Sequence, residues 1–201
     1  METALVALGA YLIGSVSFAV VVSRLLRLPD PRSYGSRNPG ATNVLRSGSR
    51  LAAALTLAGD TGKGAAAVWL AVLLTAEPAA AGVHPPIAGA MAFLGHLFPA
   101  FHRLRGGKGV ATAAGVLLAL DPWLGLGVLA SFATILVFFR MVSAASVTAA
   151  LFAPLWAFWL FGLRPVTPAV AAMALLLVWR HHENIARILR GAEPRVGERK
   201  A

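Results

Sequence analysis

The chain has 201 residues, of which 58% are hydrophobic and 13% charged, and its mean hydropathy is +0.72. That composition lies far outside the range of soluble domains and reads as an all-α, polytopic integral membrane protein forming a single domain over 1–201. The net charge of +10 is gathered into a few clusters, which suits loops on one side of a bilayer and argues against a nucleic-acid partner, and the lack of cysteine removes disulfides, thiolate nucleophiles and Cys-based metal sites.

Residues 3–23 form the first apolar stretch, long enough to cross a hydrocarbon core of about 30 Å at about 1.5 Å per residue. It starts near the N-terminus without a basic leader and is therefore expected to remain as a span rather than be cleaved. Gly14, Ser15 and Ser17 interrupt it with small residues suited to close helix packing. From Arg24 to Arg50 the chain turns polar and basic, and Pro29, Pro31, Gly35, Pro39 and Gly40 forbid a continuous helix. The positive-inside rule makes this loop, about 24–50, cytoplasmic and puts the N-terminus outside. Within it, Ser36, Thr42 and Asn43 can orient oxygens and Arg46 can clamp a phosphate bidentately.

A second span, about 51–76, contains Gly59-Asp60-Thr61-Gly62-Lys63-Gly64. Asp60 and Lys63 stand one helical turn apart and can neutralise each other, either as a structural ion pair or as a pair that orients a site. Only about 18 Å of helix separates Gly64 from Thr75, so the pair belongs to the cytoplasmic half. Gly62-Lys63-Gly64 lacks the spacing and the terminal Ser or Thr of a nucleotide P-loop. An outer loop, 77–86, leads to a third span, about 87–102, with His96 near its end as a supporting residue. The loop 103–109 then carries Arg105-Gly106-Gly107-Lys108-Gly109. Glycines around a lysine suggest a bend whose backbone N–H groups cradle phosphate oxygens, helped by Lys108 and the dipole of the next helix.

The fourth span, 110–120, is short and is broken by Asp121-Pro122; the fifth runs over 123–139 and returns to Arg140. Ser143 and Ser146 form a small polar island in the loop 140–146, before a sixth span at about 147–161. An outer turn, 162–168, carries Arg164, and the seventh span ends at Trp179. A cytoplasmic tail, 180–201, begins Arg180-His181-His182-Glu183-Asn184. Seven spans, with the N-terminus out and the C-terminus in, place sixteen of the eighteen Lys and Arg on the cytoplasmic side, with Arg164 outside and Lys63 within the bilayer.

Polar islands on one level imply a single basic site partly sunk in the bilayer, suited to a substrate that joins a phosphate to an aliphatic chain. No carboxylate cluster suits a two-metal centre, and no histidine has an aspartate five positions later. Chemistry there would rest on positioning and electrostatic stabilisation. A transporter would need a polar path to the outer face and usually a repeated pair of broken helices, and the chain has neither. A scaffold that only binds anionic lipid is the remaining alternative.

Five motifs carry a family resemblance in matching order over nearly the whole chain. They are Gly35-Ser36-x-Asn38-x-Gly40-Ala41-Thr42-Asn43-Val44-x-Arg46, Asp60-x-x-Lys63-Gly64, Gly95-His96-x-Phe98-Pro99, Gly106-Gly107-Lys108-Gly109-Val110-Ala111-Thr112 and His181-x-Glu183-Asn184-Ile185. The set resembles the bacterial acyl-phosphate:glycerol-3-phosphate acyltransferase (PlsY) family, with Arg37-Asn38-Pro39 standing where that family usually has Gly-Asn-Ile. The resemblance implies transfer of a fatty acyl group from acyl phosphate to the 1-hydroxyl of glycerol 3-phosphate, giving lysophosphatidic acid and phosphate, the first step of phospholipid synthesis. It implies no cofactor, no metal and no covalent acyl-enzyme. It places the protein in the bacterial inner membrane with its site facing the cytoplasm, and makes membrane lipid and the enzyme that supplies acyl phosphate its partners. Lys108, Arg46, His181 and Asn184 would be catalytic. Ser36, Asn38, Thr42, Asn43, Gly106, Gly107, Gly109, Ser143 and Ser146 would bind substrate, supported by Asp60, Lys63, His96 and Glu183. Arg46 and Lys108 would hold the two phosphates. The proton of the attacking hydroxyl would pass to His181 or to the donor's own phosphate, and the second route is the favoured expectation.

Overall fold

The computed structural model describes residues 1–75 and 80–198. The end of the second predicted span at residue 76, the start of the outer loop at 77–79 and the tail residues 199–201 lie outside the described residues. The described chain is helical: α1 (Glu2–Gly14), α2 (Phe18–Leu25), a single turn α3 (Ala41–Val44), α4 (Arg50–Leu74), α5 (His84–Leu97), α6 (Val110–Leu120), α7 (Pro122–Phe139), α8 (Val142–Phe161), α9 (Val166–Arg180) and α10 (His182–Leu189). Helix therefore occupies each apolar stretch read from the sequence. By length and hydropathy α4, α7 and α8 suffice to cross a membrane, and α1 with α2 together reach the same length and hydropathy as a bent pair. The apolar α6 and α9 are shorter than a full crossing.

Local chemistry accounts for the boundaries. Ser49 caps α4 by accepting from the Ala52 N–H at 3.1 Å, and Asp121 caps α7 by accepting from Leu124 N–H at 2.9 Å, with Pro122 at the first helical position. Two boundaries correct the sequence reading. The expected continuous span over 3–23 is broken at Ser15–Ser17 and bent by 40°. The break exposes the Val16 carbonyl, which accepts from Lys63 Nζ at 2.6 Å, so a lysine on α4 satisfies backbone that lipid could not. The sixth span begins at Val142 instead of about 147, so Ser143 and Ser146 are buried on the first turns of α8 and the expected loop shrinks to Arg140 and Met141.

Packing follows membrane logic, with small residues inside and large apolar ones outside. Ala19, Ala52, Ala88, Ala92, Ala145 and Ala157 are fully buried or nearly so, whereas Leu73, Phe138, Trp159 and Leu175 are all more than 70% exposed. Helices whose interface residues lack bulk can approach backbone to backbone. At the α4–α6 contact a methyl group on Gly64 would lie 2.3 Å from the Thr112 carbonyl oxygen, and one on Gly115 would lie 1.9 Å from that of Thr61. This close seam places Asp60 and Lys63 beside the residues that follow the glycine loop.

Candidate active site

The buried ionic group is a close ion pair, in which Asp60 Oδ1 makes charge contacts but no hydrogen bond. Lys63 Nζ lies 2.8 Å from Asp60 Oδ1 as well as bonding Val16, and both side chains are 3% exposed. His96 Nδ1 faces Thr112 Oγ1 at 3.1 Å and Asp60 Oδ1 at 3.6 Å. Of the two readings left open for Asp60 and Lys63, these contacts favour the structural pair: it ties α4 to the broken α1–α2 segment and, through His96, to α5 and α6.

His96 also shapes the glycine loop. A methyl group on Gly107 would sit 2.1 Å from His96 Nε2, and one on Gly109, where φ is +84°, would sit 2.2 Å from the Phe93 ring. The glycines are thus needed because the loop lies flat on the end of α5. This corrects the expected cradle. The N–H groups of Gly106 and Gly107 donate to the carbonyls of Leu97 and His96, both at 3.1 Å, so neither is free for a phosphate. Their carbonyls accept from Arg180 on α9, at 3.0 Å for Gly106 and 3.2 Å for Gly107. The donors still available are the N–H groups at the head of α6, just after Lys108.

Held in this way, Lys108 reaches across to α10, where its Nζ donates to Asn184 Oδ1. Asn184 Nδ2 in turn donates to Glu193 at 2.6 Å, and the same carboxylate accepts from Ser143 Oγ at 2.6 Å and Arg187 Nε at 2.7 Å. Burial lowers the Lys108 pKa, as does the nearby Arg187, while Glu193 and Glu183 oppose the shift. His181 closes the same side. Its Nδ1 lies 2.8 Å from the Leu177 carbonyl, which can only accept, so Nδ1 carries the proton and Nε2 keeps its lone pair. Burial outweighs that hydrogen bond and, with Lys108 nearby, pushes the His181 pKa down to about 4. His181 is neutral at physiological pH.

Lys108, His181, Asn184 and Ser143 therefore meet, and Glu183 is exposed one residue before Asn184. The 35–46 loop forms a different patch. Asn43, expected to bind substrate, is buried and its amide staples the loop: Oδ1 accepts from Ser36 N–H at 3.0 Å, and Nδ2 donates to the carbonyls of Pro31 and Tyr34 at 2.7 and 3.2 Å. Ser36, Thr42 and Arg46 are exposed, with Asn38 partly covered, and the Arg46 side chain passes over Gly35. Among the described residues no hydrogen bond joins Arg46 to Lys108. Between the 35–46 loop and the glycine loop lies a small recess whose walls include Arg32, Pro39, Lys63, His102, Arg105 and Gly107, and neither Arg46 nor Lys108 lines it.

On the other side of Lys108 a groove of about 550 Å³ opens between α6, α7, α8 and α9. It runs from Val110, Ser146 and Leu177 to Gly125 and Val170, and Ser146 is its one polar side chain, with Oγ donating to the Val142 carbonyl at 2.8 Å. Sequence reasoning missed Arg180, Arg187 and Glu193. Arg187 lies three positions after Asn184 and so shares its helical face, a signal the basic character of the tail concealed. Among the described residues no group of three His, Asp or Glu side chains is placed to hold a metal ion.

These features define a class: a polytopic α-helical membrane protein in which a cationic, hydrogen-bonded site adjoins an apolar groove within the bundle. Within that class the chain belongs to the glycerol-3-phosphate acyltransferase family, whose sequence model matches residues 4–191. It is 57% identical over 200 residues to the glycerol-3-phosphate acyltransferase of Ralstonia nicotianae, covering all of this chain and 97% of the relative. The Burkholderia ambifaria protein of the same name is 57% identical over 202 residues, covering all of this chain and 93% of the relative. Among solved structures, the fold matches PlsY, an integral membrane glycerol 3-phosphate acyltransferase, in its glycerol 3-phosphate form. That match has a TM-score of 0.89 and 34% identity, over 98% of this chain and 96% of the other. The lysophosphatidic acid form of PlsY matches with a TM-score of 0.88.

Proposed function

We propose that this protein transfers a fatty acyl group from acyl phosphate to the 1-hydroxyl of glycerol 3-phosphate, releasing lysophosphatidic acid and inorganic phosphate, as the first step of phospholipid synthesis. One observation carries the reading: Lys108, bonded to Asn184, lies two residues before Val110, where the apolar groove begins, so a phosphate held by Lys108 can leave its acyl tail between α6 and α9. The relatives' glycerol 3-phosphate and lysophosphatidic acid forms supply the acceptor and the product.

In this reading the hydroxyl oxygen attacks the acyl carbon and the bond from that carbon to the phosphate oxygen breaks. Lys108 and the N–H groups at the head of α6 offset the charge on the departing phosphate. Arg46, exposed with Ser36 and Thr42 on the same loop and with Asn38 beside them, meets the phosphate of glycerol 3-phosphate. Because the His181 pKa is about 4, its Nε2 is a weak base, better suited to accepting a hydrogen bond that orients the hydroxyl. The donor phosphate, adjacent to the reacting carbonyl, takes the proton as it leaves, and no acyl-enzyme forms. Seven crossings with the N-terminus outside put this site on the cytoplasmic face of the bacterial inner membrane, within reach of the enzyme that supplies acyl phosphate.

The test is turnover by purified protein given acyl phosphate and glycerol 3-phosphate, with lysophosphatidic acid and phosphate measured in equal amounts. Acyl transfer from acyl-CoA or acyl carrier protein instead, or no product at all, would refute the reading.

A further inference from the structure

The C-terminal tail is rich in arginine and, from Leu189 to Glu198, is exposed at every residue but one. The exception is Glu193, whose side chain is 7% exposed. Its inward position is built into the chain. Gly191 turns the backbone in the left-handed region at φ +68°, and Ala192 N–H donates to the Arg187 carbonyl at 2.8 Å. Beyond it, Val196 and Arg140 are doubly joined: Val196 N–H donates to the Arg140 carbonyl and Arg140 Nη2 to the Val196 carbonyl, each at 2.6 Å. The tail is thus fastened on both sides of Glu193, to α10 and to the α7–α8 junction. The matched family region ends at residue 191, two positions earlier.

We propose that Glu193 is a positioning residue for acyl transfer: its carboxylate fixes the Asn184 amide with the oxygen toward Lys108 and so aims the lysine ammonium at the reacting phosphate. The inference rests on the function proposed above. Its physical basis is donor and acceptor accounting. An ionised carboxylate only accepts hydrogen bonds and an ammonium only donates, so an amide placed between them has a single orientation that satisfies both. Ser143 and Arg187 donate to the same carboxylate and hold it in place from α8 and α10. Burial alone would raise the Glu193 pKa, but the hydrogen bonds from Ser143, Asn184 and Arg187 outweigh it and keep the group ionised. Without the carboxylate, the Asn184 amide is free to flip its NH2 toward Lys108, and two donors then face each other. The lysine swings away from the head of α6.

A double-mutant cycle on the full chain in detergent tests this, with kcat, both KM values and melting temperature measured for wild type, E193A, E193Q, N184A and the N184A/E193A pair. The expected result is a drop of about tenfold to a hundredfold in kcat for E193A, with both KM values changing less than about threefold. E193Q, which keeps an acceptor for Asn184 Nδ2, should recover part of the loss. Because Glu193 acts through Asn184, adding E193A to N184A should cost less than about twofold. Additive losses, or E193A turning over as fast as wild type, would overturn the proposal. Faster turnover by E193A would do so too and would make the carboxylate a competitor for the phosphate. If E193A does not fold, E193Q takes its place in the cycle. Wild type failing to make lysophosphatidic acid would strike the function itself; active wild type with an additive cycle would strike Glu193 alone.

Discussion

The tripeptide Gly-Lys-Gly occurs twice, at 62–64 and at 107–109, and its two lysines end in opposite situations. Lys63 lies in the middle of α4, nearly inaccessible, with its ammonium shared between Asp60 and the Val16 carbonyl. Lys108 follows a loop, is half-buried with Asn184 as its hydrogen-bond partner, and lies two residues before Val110, where a groove begins. The flanking glycines differ as well. A methyl group on Gly62 would meet nothing within 4 Å, whereas one on Gly107 would collide with His96 at 2.1 Å. A buried lysine whose ammonium is held between a carboxylate and a backbone carbonyl holds a fold together. One with donors to spare beside an apolar groove can receive a ligand.

Removing each ammonium should break the comparison most sharply. Lys108→Ala should reduce lysophosphatidic acid formation by about a thousandfold while the melting temperature in detergent barely moves, a loss in the range of a missing transition-state donor. Lys63→Ala should do the reverse: it leaves Asp60 buried and unpaired, at a cost of about 3–5 kcal/mol, and appears first as poor yield of folded protein. Comparable loss of activity in both variants at unchanged stability would erase the distinction.

The first glycines give a smaller contrast. Gly107→Ala should destabilise by about 1–3 kcal/mol through overpacking against His96 and should also lower turnover, since the loop carries Lys108. Gly62→Ala should be neutral or should stabilise by up to about 1 kcal/mol, because alanine is the better helix former and the site is open. Thermal melts of the two variants side by side settle the order.

The histidines sharpen the comparison further. Replacing His181 with Gln should leave turnover within about tenfold of wild type, because the hydroxyl keeps a hydrogen-bond partner and the proton goes elsewhere. Loss of turnover with glycerol 3-phosphate binding intact would return the base to His181. The pH dependence has a definite sign. The folded-state pKa of about 4 lies below the ordinary 6.5, so the unfolded chain takes up a proton that the folded chain refuses. His181 therefore subtracts stability as pH falls from about 6.5, by about 3 kcal/mol once pH 4 is reached. Melting temperature should drop across that window less in His181→Gln than in wild type, and kcat/KM should show no inflection from His181 near 6.5.

Much of the architecture could be read from the chain because lipid imposes a one-dimensional rule. Apolar stretches and the break at Asp121-Pro122 are local in sequence and carry helices on either side as expected. The helix break at Ser15–Ser17 was not legible, since it depends on Lys63 arriving from 47 positions away to satisfy the Val16 carbonyl. The Lys108, His181 and Asn184 cluster followed from motif order. The uses of Asn43, Gly106 and Gly107 did not: a short polar motif offers hydrogen-bonding groups without saying which the protein consumes itself. Arg187 and Glu193 were hidden for the opposite reason, inside a tail whose composition reads as solvated charge.

By itself, the sequence determined that this chain is a helical membrane protein with its basic residues gathered into a few clusters between apolar stretches, because hydrophobicity and charge act on each segment independently of the others. Only the tertiary structure decided which lysine is structural and which faces a ligand. That choice depends on whether acceptors from distant helices reach the ammonium first, and helix packing alone brings them there.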